Sequence, residues 1–149
     1  MTTITAQTTQ VYQVFIKATP EQIWQAITTP EWTQKYFYGV SIDARNGRRV
    51  VHGADDALWS DDPLIEEDPP RRLVHSWIST YDPEMAAEEP SRVTWEIEPQ
   101  EGGFSKLTVV HDQLEGAPKT AEGVSGEGWM MVLSGLKTVL ETGEPLSSS

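Results

Sequence analysis

The feature that most constrains this fold is the final helical segment, Gly-Trp-Met-Met-Val-Leu-Ser-Gly-Leu-Lys-Thr-Val-Leu-Glu-Thr-Gly-Glu-Pro, from Gly128 to Pro145. Trp129, Val132, Leu133, Leu136 and Leu140 recur at steps of three and four, the period of one buried helical stripe. Gly143 and Pro145 stop it in the expected order, a left-handed cap and then a residue that cannot continue a helix. Gly135 falls about 100° or more off the stripe and reads as a surface glycine, at a cost of about 1 kcal/mol. A long helix with one apolar face needs a sheet to cover, and the chain before it reads as strands.

Gln10 to Ala18 forms a first strand, apolar on both faces and so expected to be partly buried on each side. Thr19-Pro20-Glu21-Gln22 opens a helix: Thr19 caps it, Pro20 suits the first position, and Gln22 completes a capping box. Thr29-Pro30-Glu31 repeats the signal, giving two short helices in series. Strands follow at Val40 to Ala44, Arg48 to His52, Leu64 to Glu67, Arg72 to Thr80, Arg92 to Glu98 and Lys106 to Asp112. Asn46-Gly47 is a tight-turn signal between the first two, and Glu101-Gly102-Gly103 turns the last pair. The segments from Gly53 to Asp62 and from Tyr81 to Ser91 read as acidic loops, the second with a helical turn at Pro83 to Glu88. The run of strands without intervening helices predicts an α+β fold: an antiparallel sheet of about seven strands, strongly bent around the last helix.

A chain of 149 residues is one domain, here placed at residues 10–146 between flexible termini at 1–9 and 147–149. Met1 to Gln10 is polar and Thr-rich, with no secretory signal, and no apolar run is long enough to span a membrane. A cytoplasmic protein is expected. Without cysteine there is no thiolate chemistry, disulfide or cysteine metal site. The net charge of −12 concentrates in Asp55, Asp56, Asp61, Asp62, Glu66, Glu67 and Asp68, with Asp82, Glu84, Glu88 and Glu89 beyond. That field disfavours nucleic acid and anionic membranes as partners. It reads either as a solvated surface or as a docking face for a basic partner.

Ala18-Thr-Pro-Glu-Gln-Ile-Trp24, the block Asp68-Pro-Pro-Arg-Arg-Leu-Val-His-Ser-Trp77, the strand Leu107-Thr-Val-Val-His111 and Gly128-Trp129 with Leu133, Leu136 and Leu140 carry a resemblance. They are similar to the activator-of-heat-shock-protein-90-ATPase homologue-like family, over residues 10–146. The resemblance implies the START-like (SRPBCC) superfamily and the helix-grip fold of the birch-pollen allergen. It also implies ligand carriers, enzymes or co-chaperones of the stress response as functions, since such folds host all three. No second domain of the kind that the eukaryotic co-chaperones carry is expected.

Strand alternation puts Leu73, His75 and Trp77 on one face, with Val93, Trp95 and Ile97, and Leu107, Val109 and His111, on the next strands. Two readings of this interior stay open. Either the aromatics fill the core and each histidine bonds a neighbour, or an apolar cavity holds a ligand oriented by a few polar groups. The second makes Trp77, Trp95, Val109, His111, Trp129, Val132 and Leu133 the wall, with His75 and His111 as polar handles. No serine sits in a nucleophile-elbow motif, and Glu96 and Asp112 face outward, so no catalytic residue is assigned. The three histidines lack metal-ligand spacing, and no glycine loop cradles phosphate, so no metal or cofactor is expected. Ala121 to Gly128, rich in glycine, reads as a helix break or as a mobile lid. The leading expectation is non-catalytic binding of a small hydrophobic or aromatic molecule. The alternatives are a chaperone-associated interaction module, using the acidic face on a chaperone or another basic-faced protein, and a cyclase- or aromatase-like enzyme.

Overall fold

The computed structural model describes residues 8–80, 82–125 and 127–146. The proposed flexible termini therefore lie outside the described residues, apart from residues 8 and 9. The elements run β1 (Gln10–Ile16), α1 (Pro20–Thr28), α2 (Pro30–Tyr36), β2 (Ser41–Arg45), β3 (Arg48–His52), β4 (Leu58–Pro63), β5 (Glu66–Asp68), β6 (Arg72–Trp77), α3 (Pro83–Ala86), β7 (Ser91–Gln100), β8 (Phe104–Asp112), α4 (Pro118–Val124) and α5 (Glu127–Thr142). The strands form two antiparallel sheets among the described residues, of order β1-β8-β7-β6-β5 and β2-β3-β4. The expected α+β architecture holds, with eight strands in two sheets in place of one sheet of about seven.

Local chemistry explains most element boundaries. The capping box of α1 is complete: Thr19 Oγ1 accepts from Gln22 N–H at 3.2 Å, and Gln22 Oε1 accepts from Thr19 N–H at 2.8 Å. Thr29 opens α2 differently, since its hydroxyl donates back to Gln25 O at 2.8 Å and caps nothing. Asn46 and Gly47 both take positive φ, 58° and 80°, as the tight β2–β3 turn demands. Gly143, at φ 80°, caps α5 where the sequence places its end, its N–H bonding Val139 O at 2.9 Å.

Three expectations are corrected, and an open one is decided. First, β1 is an edge strand with one wet face: Val11 and Phe15 are exposed, and Phe15 packs edge-on against Phe104 of the neighbouring β8. Second, half of the acidic loop from Gly53 to Asp62 is strand β4, and the strand placed at Leu64 to Glu67 is the short β5. No alternation marks β4 in sequence; backbone pairing to β3 and the Arg48–Asp61 ion pair at 2.8 Å fix it. Third, of the two readings of Ala121 to Gly128 the helix break is the one observed: α4 ends at Val124 and α5 begins at Glu127, and the first turn of α4 is held by Glu88, a carboxylate accepting from the N–H groups of Lys119 and Thr120. Fourth, Gly135 is a packing contact. It is buried where α5 crosses α2, and a methyl group there would meet Tyr36 Cβ at 3.1 Å.

The core joins three layers. The stripe of Trp129, Val132, Leu133, Leu136 and Val139 on α5 meets Leu73, Val93, Trp95, Leu107 and Val109 of the larger sheet and Ile42, Ala44 and Val51 of the smaller one. The outer face of the larger sheet carries directly opposed ion pairs, Arg92–Asp112 at 2.6 Å and Arg72–Glu96 at 3.3 Å.

Candidate functional site

Two indole–imidazole pairs lie on the inner face of the larger sheet. Trp95 donates its Nε1–H to His75 Nε2 at 3.0 Å, and Trp129 donates its own to His111 Nδ1 at 3.1 Å. An indole nitrogen can only donate, so each contacted imidazole nitrogen is an acceptor and the other ring nitrogen carries the proton. His75 Nδ1–H therefore donates to Ser76 O at 2.9 Å, and His111 Nε2–H to Ser91 Oγ at 2.7 Å. Burial holds the His75 pKa well below its ordinary value, helped by the nearby Arg49 charge, and brings His111 down to about 4. Both rings are neutral at physiological pH.

A cavity of about 420 Å³ opens beside this cluster, between β2–β3–β4 on one side and α4, α5 and the end of β6 on the other. Its aromatic walls are Phe37, Tyr38, Trp59, Trp77 and Trp129, with Val40, Ile42, Val51 and Val132 between them. Trp59 reaches the wall through a bulge. Val51 pairs with Ser60 but His52 with Leu58, leaving Trp59 as the extra residue of β4. Its ring lies across Gly53, where an added Cβ would meet the indole at 2.6 Å, so only glycine leaves room. Trp77 and Trp129 pack with ring centroids 5.8 Å apart, and Trp77 Nε1–H is held by Ser79 Oγ at 2.9 Å.

Of the residues assigned to a wall from sequence, Trp77, Trp129 and Val132 line this cavity. His75, Trp95, Val109, His111 and Leu133 are buried but do not line it. The two histidines spend their ring nitrogens on Trp95, Ser76, Trp129 and Ser91 and offer no polar handle to the cavity. The opposite wall comes from residues that carry no functional sign in the sequence: Phe37, Trp59 and above all Arg49. The alternation of β3 put Arg49 and Val51 on one face, which was the available signal.

Among the described residues Arg49 is the one charged side chain lining the cavity. Its guanidinium carbon sits 5.5 Å from the Trp77 ring centroid, a cation–π contact. Burial lowers its pKa to about 10, with Asp62, its cross-strand neighbour, pulling the other way, so it remains a cation at neutral pH. It forms no ion pair or hydrogen bond among the described residues.

Chemically, the site is fitted to enclose and orient. Ser91 accepts a hydrogen bond from His111, the reverse of the polarity by which a general base activates a nucleophile. Among the described residues no three His, Cys, Asp or Glu side chains gather as a metal site, and no helix is long and apolar enough to cross a membrane.

Solved structures share this architecture. Protein MLL2253 from Mesorhizobium loti superposes with a TM-score of 0.71 at 21% identity, covering 89% of this chain and 96% of its own. SSP2350 from Staphylococcus saprophyticus gives 0.70 at 18% identity, over 95% of this chain and 97% of that one. CalU16 from Micromonospora echinospora gives 0.67 at 24% identity, over 92% and 76%. No protein matches in a search of curated sequences. The family described as Activator of Hsp90 ATPase homolog 1-like protein matches residues 17–141, and with that match spanning most of a helix-grip fold, the chain belongs to this family.

Proposed function

We propose that this protein binds a small hydrophobic or aromatic molecule in the cavity between β2–β3–β4 and α5, without transforming it. The observation that carries the reading is a space of about 420 Å³ walled by three indoles, a phenyl ring and a phenol. That volume lies within the roughly 300–1,000 Å³ typical of small-molecule sites, which are apolar with few polar groups. In this reading the protein is a carrier, with the cytoplasm as its proposed location. Filling the space tests it. Val132 lines the cavity from α5, so Val132→Phe should abolish quenching of tryptophan fluorescence by naphthalene-type probes while leaving the melting temperature level or raised. Probe binding that survives the filled variant would place the site elsewhere.

A second reading, a chaperone-associated interaction module, is supported by the family description. In that case the acidic surface of β4 and β5 is the contact, and Asp61 and Glu66 are already drawn into pairs with Arg48 and Arg72. A cyclase-like activity has less support, because both interior histidines are neutral and tied to indoles.

A further inference from the structure

We propose that Arg49 makes the cavity selective for aromatic molecules bearing a carboxylate, the acid meeting the guanidinium while the rings lie against Trp77 and Trp59. This rests on the cavity reading above and names the ligand class.

The argument begins with the arginines. Arg45, Arg48, Arg71, Arg72 and Arg92 each pair with a carboxylate, at 3.1 Å or less. Among the described residues Arg49 alone of the six does not, although acids outnumber bases by 23 to 11. It is also the one turned into the cavity. Asp62 stands opposite it on β4 but is exposed and closes no ion pair. His75 feels its charge but is neutral and cannot balance it. The Trp77 ring covers the guanidinium, and it lies too far to accept its N–H groups as a carboxylate would.

An entirely apolar ligand would expel water from these donors and leave a desolvated, uncompensated cation, which is costly. A carboxylate fits the planar fork with two charge-assisted bonds. The aromatic body is dictated by the same wall, since indole faces favour flat rings.

The test compares naphthoate with naphthalenemethanol, probes of similar shape that differ in the acid. Binding is measured by calorimetry at neutral pH and about 0.15 M salt, where repulsion by the acidic surface is screened. Naphthoate should bind wild type at least about tenfold more tightly than the alcohol, as expected for hydrogen bonds to a charged group. Arg49→Met should erase that preference and leave the alcohol within about threefold of its wild-type affinity. If wild type binds both probes equally, or Arg49→Met keeps the preference, the carboxylate assignment fails while the cavity reading stands. If neither probe binds at millimolar concentration, both fail. The wild-type comparison needs no variant, so it decides even if Arg49→Met folds poorly.

Discussion

Trp129 and His111 share a hydrogen bond of 3.1 Å between α5 and β8, and this bond fixes which nitrogen of the imidazole holds the proton. It ties the helix to the larger sheet by a polar contact inside an apolar layer, and it decides the direction of the His111–Ser91 bond at the same time. The same ring forms a wall of the cavity, so scaffold and site meet in one residue.

Replacing Trp129 by Phe keeps a ring and deletes the donor. It leaves His111 Nδ1 buried without a partner and a void beside it, for a combined loss of about 2–4 kcal/mol in urea unfolding. Because the lost bond favoured neutral His111, its pKa should rise from about 4 in an NMR titration. An unchanged His111 titration would show that Trp129 contributes bulk alone.

Acid should weaken the fold before the carboxylates titrate. His75 and His111 have folded pKa values below the unfolded value of about 6.5, so the unfolded chain binds more protons as pH falls. Stability is complete above about pH 6.5 and lost on descent, for His111 down to about pH 4. Between pH 7 and 4.5 the His111 contribution alone is on the order of 2 kcal/mol. Urea midpoints across that window should fall in wild type and fall less in His111→Gln. Parallel curves for the two proteins would refute the assignment.

Gly135 offers a test of packing against propensity. In an exposed helix, Gly→Ala stabilises by about 1 kcal/mol. Here the new methyl meets Tyr36 Cβ at 3.1 Å, and Tyr36 is pinned because its hydroxyl donates to Ala26 O at 2.7 Å. Gly135→Ala should therefore give no gain, and Gly135→Leu should lose about 1–3 kcal/mol or more through overpacking. Thermal melts that show either variant stabilised would mean that α2 and α5 separate more readily than their contact suggests.

The sequence by itself determined helices α1, α2 and α5, the hairpin turn and the interior face of β6, β7 and β8. Those features depend on short-range chemistry: the capping box at Thr19, the positive φ at Asn46 and Gly47, the stripe on α5 and the alternation from Leu73 to Trp77. Tertiary structure alone decided what the interior groups do. Whether His75 and His111 face a ligand or an indole depends on where Trp95 and Trp129 place one nitrogen each, and residues 18 to 20 positions apart in the chain carry no local record of that. The second wall was equally hidden. Trp59 reaches it through a one-residue bulge, and Gly135 became an interface only because α2 crosses α5 there. Periodicity assigns a residue to a face, but what stands opposite that face is set by the packing of distant segments. For Arg49 the space opposite is a cavity with no carboxylate in it among the described residues.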